Sequence, residues 1–192
     1  KIIKNMFYTN QKLIFENDMI YFTGVTGEIY EVMMGWENEL MRASTNFICQ
    51  NGGDILEIGF GMGISANHIQ SHNIKSHTIV ENHPDIIPKL IEWANDKPNV
   101  VIVEGSWYDR LGDLGVYDGI FYDTYGDEHS YHFPESINKL TKSGSLLTFW
   151  NSFSEEKNIF EFDNVEYDIY DVSPPENSYF EFDKYYLPKK VF

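Results

Sequence analysis

Seven short apolar runs constrain the fold of this chain more than any other feature. The runs occupy residues 54–58, 77–81, 100–103, 119–123, 145–150, 165–172 and 179–187. Helical patterns cover residues 62–71, 84–95 and 134–142. Strands that alternate with helices predict an α/β fold, in which a parallel sheet carries helices on both faces. Only the turn-forming residues 173–177 join the last two runs. A mostly parallel seven-stranded sheet that ends in an antiparallel pair is therefore predicted.

The N-terminal part has a different pattern. Apolar residues recur at helical spacing over about residues 28–47, which predicts an amphipathic helix. They are Val32, Met33, Trp36, Leu40 and Met41. The first ~25 residues show no regular period. Because 192 residues suit one domain, we expect an N-terminal segment over residues 1–27 and a single domain over residues 28–192.

The composition argues against several classes of partner. A net charge of −16 repels phosphate backbones and anionic lipids and tolerates a cationic ligand. No run reaches the ~18–20 apolar residues of a membrane helix, and no signal peptide is apparent. Cys49 is the one cysteine, and His68 and His72 lack a third ligand, so neither a disulfide nor a metal site is expected. We expect a cytoplasmic protein that binds neither nucleic acid nor membranes.

A glycine-rich loop directly follows the first predicted strand. Gly59, Gly61 and Gly63 permit a sharp turn and the close approach of a nucleoside ligand. The frame that starts at Gly61 also satisfies the dinucleotide fingerprint G-x-G-x-x-A. Two features favour S-adenosylmethionine over a nicotinamide cofactor. Glu57 lies two residues before the first glycine, and Ile64 takes the third glycine's place when the dinucleotide frame starts at Gly59.

Several acids and aromatic residues are candidates for ligand binding. Glu81 ends the second strand, where a carboxylate can accept hydrogen bonds from both ribose hydroxyls. Asp123 ends the fourth strand, and Glu37 can reach it from the N-terminal helix. Two carboxylates match the paired N–H donors of a guanidinium, and one can take its proton during methylation. Trp36 and Tyr125 offer aromatic faces for cations.

The specific strings Phe60-Gly61-Met62 and Tyr122-Asp123-Thr124-Tyr125 resemble those of guanidinoacetate N-methyltransferase and its relatives. Further similar stretches are residues 32–37, 55–62, 79–82, 105–107, 117–125 and 147–151. The resemblance runs from about residue 30 to the C-terminus. It implies the Rossmann-like fold of class I methyltransferases, and it implies that the N-terminal residues form a lid over the site.

The resemblance also implies the roles of individual residues. Donor contacts are implied at Met33, Met41, Phe60, Gly61, Met62, Gly63, Ile64, Ser65, Glu81, Asn82, His83, Ser106, Trp107 and Asp123. Glu37 and Asp123 would grip the substrate guanidinium, with Asp123 as the proton acceptor. Backbone groups at Ser152 and Phe153 stand where the family receives the carboxylate of guanidinoacetate.

Two departures leave the acceptor open. Phe153 is bulkier than the family's usual residue, and a helix after Asn151 is shortened to about residues 154–160. The main hypothesis is a small-molecule guanidine such as guanidinoacetate or arginine. An arginine of a protein or peptide is the alternative acceptor. A nicotinamide-dependent oxidoreductase and a non-catalytic donor-binding module are further alternatives. A homodimer is compatible with the sequence.

Overall fold

The computed structural model describes residues 8–176 and 178–192. Its strands are β1 (Ile14–Glu16), β2 (Met19–Thr23), β3 (Ile29–Met34), β4 (Asp54–Ile58), β5 (Ser76–Glu81), β6 (Val100–Glu104), β7 (Tyr117–Tyr122), β8 (Thr141–Phe149), β9 (Glu166–Asp171) and β10 (Lys184–Val191). Its α-helices are α1 (Asn38–Cys49), α2 (Ile64–Gln70), α3 (Ile87–Ala94) and α4 (Phe133–Ser136). Residues 1–7 of the predicted N-terminal segment and Asn177 of the predicted turn lie outside the described residues.

The main sheet has the strand order β6-β5-β4-β7-β8-β10-β9. Its first five strands in this order pair in parallel. β10 is antiparallel to both β8 and β9. The predicted mostly parallel sheet with an antiparallel C-terminal pair is thus confirmed.

Two apolar cores lie on opposite faces of this sheet. Successive side chains of a strand point to opposite faces, so neighbouring residues of β4 enter different cores. Ile55 packs in the core that holds apolar residues of α1, α2 and α3. Leu56 packs in the other core, which holds Phe133 of α4. The prediction of helices on both faces is therefore confirmed.

The prediction of a helix over residues 28–47 is wrong in its first part. β1, β2 and β3 form a separate antiparallel sheet, in which Ile20 pairs with Met33. Spacing along one segment carries no information about a partner strand, and the β-branched Ile29 and Val32 suit a strand. Gly35–Glu37 form a 3-10 turn, and the helix begins only at Asn38. β2 lies before residue 27 and β3 lies after it, yet the two strands pair with each other, across the boundary expected between the N-terminal segment and the domain.

Two predictions near the C-terminus also need correction. Residues 154–160 form no helix. The Asn158 side chain instead binds both backbone groups of Phe162, at 2.9 and 3.0 Å, and thereby competes with helical hydrogen bonds. The last strand begins at Lys184 rather than near residue 179. Residues 178–183 are irregular because Phe180, 3% exposed, packs among aromatic side chains instead of joining the sheet.

Asn151 fixes the C-terminal segments to the sheet. It is fully buried just after β8. Its Nδ2 donates to the carbonyl oxygens of Lys157 at 2.9 Å and Tyr186 at 3.2 Å. Its backbone N–H donates to the Tyr185 hydroxyl at 2.9 Å. The loop after β8 and the strand β10 are therefore held at a defined position beside the carboxyl edge of the sheet.

None of the helices within the described residues is long and apolar enough to span a bilayer.

Gly119 sets how closely α1 approaches the sheet. A Cβ atom there would lie 2.2 Å from the carbonyl oxygen of Ile48 in α1. We expect Gly119→Ala to push α1 outward and to lower the free energy of unfolding by about 2 kcal/mol. Denaturant unfolding measures this loss. Gly115→Ala is the control, because a Cβ there would meet nothing within 4 Å. Equal stability of the two variants would contradict the expectation.

Candidate active site

A cavity lies at the carboxyl ends of β4, β5 and β7, beside the loop after β6. The opposite wall comes from β3, the turn after it and the C-terminal segment before β10. Tyr8 closes one side. Its ring lies 4.7 Å from the ring of His83 and 5.1 Å from that of Tyr125, and His83 Nε2 bonds its carbonyl oxygen at 3.2 Å. The N-terminal segment therefore reaches the cavity, as the lid hypothesis requires.

The glycine loop packs closely against Asp123 and Met33. Gly59 has φ of 96°, and a Cβ there would lie 1.9 Å from the carbonyl oxygen of Asp123. Gly61 has φ of 52°, and its Cβ would lie 2.5 Å from the Met33 sulfur. Side chains cannot occupy these places. The loop backbone therefore faces the cavity directly, next to the end of β7.

Glu81 joins the glycine loop to the end of β5. Its Oε2 accepts the N–H of Phe60 at 2.9 Å, and its Oε1 accepts the N–H groups of Asn82 and His83, both at 2.8 Å. Burial raises the pKa of Glu81, while these backbone donors oppose the rise. The carboxyl group lines the cavity with a defined orientation.

Glu57 has a different position. It is fully buried beneath the loop, where it accepts a hydrogen bond from the Ser65 hydroxyl. Its Oε2 lies 2.9 Å from Nε2 of the buried His77. Gln70 holds the other ring nitrogen of His77 at 3.2 Å. Glu57 thus ties the first turn of α2 to β4 and does not line the cavity.

Two acids face the cavity from opposite walls. Glu37 is 1% exposed, and its Oε1 accepts the Met34 N–H at 2.9 Å and the Tyr179 hydroxyl. Burial raises the pKa of Glu37 to about 8, and the negative charge of Asp123 contributes. Burial likewise raises the pKa of Asp123 to about 7, with a contribution from Glu57. Both acids hold protons more tightly than ordinary carboxyl groups.

Neither acid has a cationic partner among residues 8–176 and 178–192. None of the ion pairs formed between described residues includes Glu37 or Asp123. Buried carboxylates normally pair with a cation or give up their charge. The cavity therefore presents two carboxyl groups that no cation of the described residues neutralises.

The sequence agrees with this geometry. Residues 25–161 match the family model described as guanidinoacetate N-methyltransferase, which is more than two thirds of the chain. The chain belongs to this family.

Two relatives of this chain are longer proteins. "Protein arginine N-methyltransferase 2" of Yarrowia lipolytica is 32% identical over 196 aligned residues, which cover 88% of this chain and 41% of that protein. The protein of the same name from Candida glabrata is also 32% identical, and 96% of this chain aligns with 52% of it. The chain thus spans about half the length of these relatives, or less.

A solved structure supports the fold of this family member. Aeropyrum pernix fibrillarin, solved with natively bound S-adenosyl-L-methionine, has a TM-score of 0.57 and 13% identity. The match covers 94% of this chain and all of that one. At this identity the likeness shows the fold alone. The Rossmann-like class I methyltransferase fold is confirmed.

The structure brings about half of the predicted site residues to the cavity. Those that line it are Met33, Glu37, Gly59, Phe60, Gly61, Ser65, Glu81, Asn82, Trp107, Asp123 and Tyr125. Those that do not are Trp36, Met41, Glu57, Met62, Gly63, Ile64, His83, Ser106, Ser152 and Phe153. Met41 lies in the core and Trp36 stacks on Phe180. Ser152 is exposed, and the ring of Phe153 lies 4.5 Å below Lys157 Nζ.

Sequence reasoning missed four cavity residues with distinctive side chains. They are Tyr8, Asp127, Trp150 and Tyr179. Asp127 accepts hydrogen bonds from Trp107 Nε1 at 2.6 Å and from the Tyr122 hydroxyl, which organises the loop after β7. Trp150 is the last residue of the predicted fifth strand, so the strand-end rule could have found it. No sequence signal indicated Tyr8 or Tyr179 individually.

Removal of the Glu37 charge should stabilise the ligand-free protein at high pH. The folded-state pKa of about 8 exceeds the ordinary value of 4.5, so the folded state keeps a proton that the unfolded state releases. Stability therefore falls as pH rises through this window. We expect Glu37→Gln to raise the free energy of unfolding at pH 8 by about 2 kcal/mol more than at pH 5.

Denaturant unfolding at the two pH values measures this effect. Glu39→Gln is the matched control, because Glu39 is an exposed acid on the adjacent turn that pairs with Arg42. The control should show no stabilisation at pH 8. A Glu37→Gln variant whose stability relative to wild type does not change with pH would contradict the assignment.

Proposed function

We propose that this chain transfers a methyl group from S-adenosylmethionine to a guanidino nitrogen, and that the acceptor is an arginine of a protein or peptide. The observation that carries the proposal is the pair of acids, Glu37 and Asp123, which face one cavity and form no ion pair with another described residue. A guanidinium is a permanent cation whose planar N–H groups match carboxylate oxygens. Membership of the family supports the same chemistry.

The residues around the glycine loop fit the methyl donor. Gly59 and Gly61 line the cavity, and because glycine has no side chain a ligand can lie against the loop backbone there. The carboxyl group of Glu81, oriented by three backbone N–H donors, would lie beside the ribose hydroxyls of the donor. Asn82 and Trp107 extend this wall. S-adenosylmethionine supplies a methyl group on a positively charged sulfur, and the fibrillarin neighbour holds the same compound.

The two acids of this chain would perform different tasks. A guanidinium nitrogen is a poor nucleophile because its lone pair is delocalised in the cation. Glu37, paired with the other nitrogens, would hold the positive charge away from the attacking nitrogen. Asp123 follows β7 beside the glycine loop, so its carboxylate would accept the proton that this nitrogen loses as the new N–C bond forms. Positioning by both carboxylates contributes much of the rate.

The choice of acceptor rests on the relatives and on charge. The relatives are named as methyltransferases of protein arginine, which favours this acceptor over the small-molecule guanidine of the main sequence hypothesis. The net charge of −16 attracts basic peptides. The family model is named for guanidinoacetate, so a small guanidine is the second candidate. Family membership gives no support to the nicotinamide alternative.

An assay with labelled S-adenosylmethionine distinguishes these acceptors. The substrates are an arginine- and glycine-rich peptide, guanidinoacetate, free arginine and agmatine, with products identified by mass. We expect methylation of the peptide at an arginine. Transfer only to guanidinoacetate would establish the second candidate. If no guanidine were methylated although calorimetry showed donor binding, the role of the acid pair would be refuted.

The role of Asp123 has its own test. Asp123→Asn keeps the size of the side chain but removes the proton acceptor, so we expect kcat to fall about 10³-fold. Donor binding, measured by calorimetry, should persist. The matched control is Asp127→Asn, another cavity acid, whose oxygens are occupied by Trp107, Tyr122 and His129. This control should retain most of the transfer rate. Loss of donor binding in a folded Asp123→Asn protein would contradict the assigned role.

A further inference from the structure

Tyr179 connects the C-terminal segment with the N-terminal wall of the cavity. It lies between β9 and β10, outside residues 25–161 that match the family model. Its hydroxyl donates a hydrogen bond to Oε1 of Glu37, which is 142 residues earlier in the chain. Tyr179 also lines the cavity. It therefore touches a candidate substrate carboxylate from a part of the chain outside the range that matches the family model.

The position of the phenol is well defined. The next residue, Phe180, is 3% exposed, and its ring lies 6.1 Å from that of Trp36, 5.9 Å from that of Trp150 and 5.6 Å from that of Tyr185. The Phe180 N–H donates to the Ser178 hydroxyl oxygen at 3.1 Å. The ring of Tyr179 meets that of Trp150 nearly at right angles, at 5.8 Å. These contacts hold the hydroxyl at Glu37.

We propose that Tyr179 is a positioning residue, which turns the Glu37 carboxylate so that its Oε2 is presented to the substrate guanidinium. This inference rests on the proposed function. Oε1 already has two donors, the Met34 N–H at 2.9 Å and the Tyr179 hydroxyl. Both hydrogen bonds of the Glu37 carboxyl group within the described residues go to Oε1, and none goes to Oε2. The two donors on one oxygen fix the rotation of the carboxyl group and leave the other oxygen for the substrate.

The hydroxyl also favours the ionised form of Glu37, which the guanidinium requires. The groups that face Glu37 are Asp123 after β7, Tyr179, and Tyr185 of β10. Repulsion from Asp123 and burial raise the pKa of Glu37, whereas the hydrogen bond from Tyr179 lowers it. Tyr179 is 39% exposed as a residue, but desolvation at the cavity and the nearby acids hold its pKa well above the usual value, so Tyr179 remains a donor at neutral pH.

Tyr179→Phe tests this role, because it removes the hydroxyl and keeps the ring. At pH 7 we expect KM for the tripeptide Gly-Arg-Gly and for agmatine to rise about tenfold, the cost of one hydrogen bond to a charged group. The acid limb of kcat/KM against pH should move up by about one unit, because Glu37 ionises at higher pH. The dissociation constant of S-adenosylmethionine should stay within about twofold of wild type.

Tyr185→Phe is the matched control. It also removes a buried hydroxyl from the same aromatic cluster, but that hydroxyl accepts the Asn151 N–H and does not bind Glu37. A merely structural effect lowers the melting temperature without moving the acid limb, and this is the result we expect for Tyr185→Phe. Only Tyr179→Phe should move the acid limb of kcat/KM.

NMR titration of ¹³C-labelled glutamate carboxyl groups gives a readout that does not need activity. The Glu37 signal is identified by its loss in Glu37→Gln, and its titration should move to higher pH in Tyr179→Phe but not in Tyr185→Phe. An unchanged Glu37 titration together with an unchanged acid limb would overturn the positioning role. If wild type methylated neither Gly-Arg-Gly nor agmatine nor any other guanidine, the proposed function would fail instead, while the titration would still decide whether Tyr179 sets the state of Glu37.

Discussion

The constraint on which this structure depends is the desolvation of two carboxyl groups around one cavity, where no cation of the described residues neutralises them. Charged groups removed from water are costly, so Glu37 and Asp123 hold protons at pH values where ordinary carboxyl groups have lost them. The arrangement is unfavourable for the folded protein alone. It becomes favourable when a cation arrives, and this ties the chemistry of the substrate to the stability of the ligand-free protein.

Backbone contacts of the surrounding fold hold Asp123, one member of this unfavourable pair, in place. Asp123 directly follows β7 of a sheet that has an apolar core on each face. Its N–H bonds the Ile58 carbonyl oxygen at 2.9 Å, and its own carbonyl oxygen blocks any side chain at Gly59. The glycine loop and the candidate proton acceptor therefore share one backbone contact. A shift of either would displace both the donor side and the acceptor side of the site.

Glu37 is held in a different way, by segments far apart in the chain. The 3-10 turn after β3 places its carboxyl group over the Met34 N–H, and Tyr179 reaches it from the irregular segment before β10. Phe180 and Asn151 anchor that C-terminal region to the sheet. The small N-terminal sheet and the C-terminal pair thus meet at one side chain. The main sheet supplies the wall that we propose for the donor, and these two additions complete the wall that we propose for the acceptor.

The sequence by itself determined the succession of the main strands along the chain, which of them run parallel and antiparallel, the glycine loop, and the acids Glu37, Glu81 and Asp123 as candidates for the site. These depend on local periodicity and on the rule that parallel strands end at one edge. Tertiary structure alone decided that residues 29–34 pair as a strand, that Glu57 turns away to Ser65 and His77, and that Tyr179 leaves the predicted strand to bind Glu37. Each of these features depends on a partner residue that is distant in the chain. The residue pattern of one segment does not show which distant segment will pack against it.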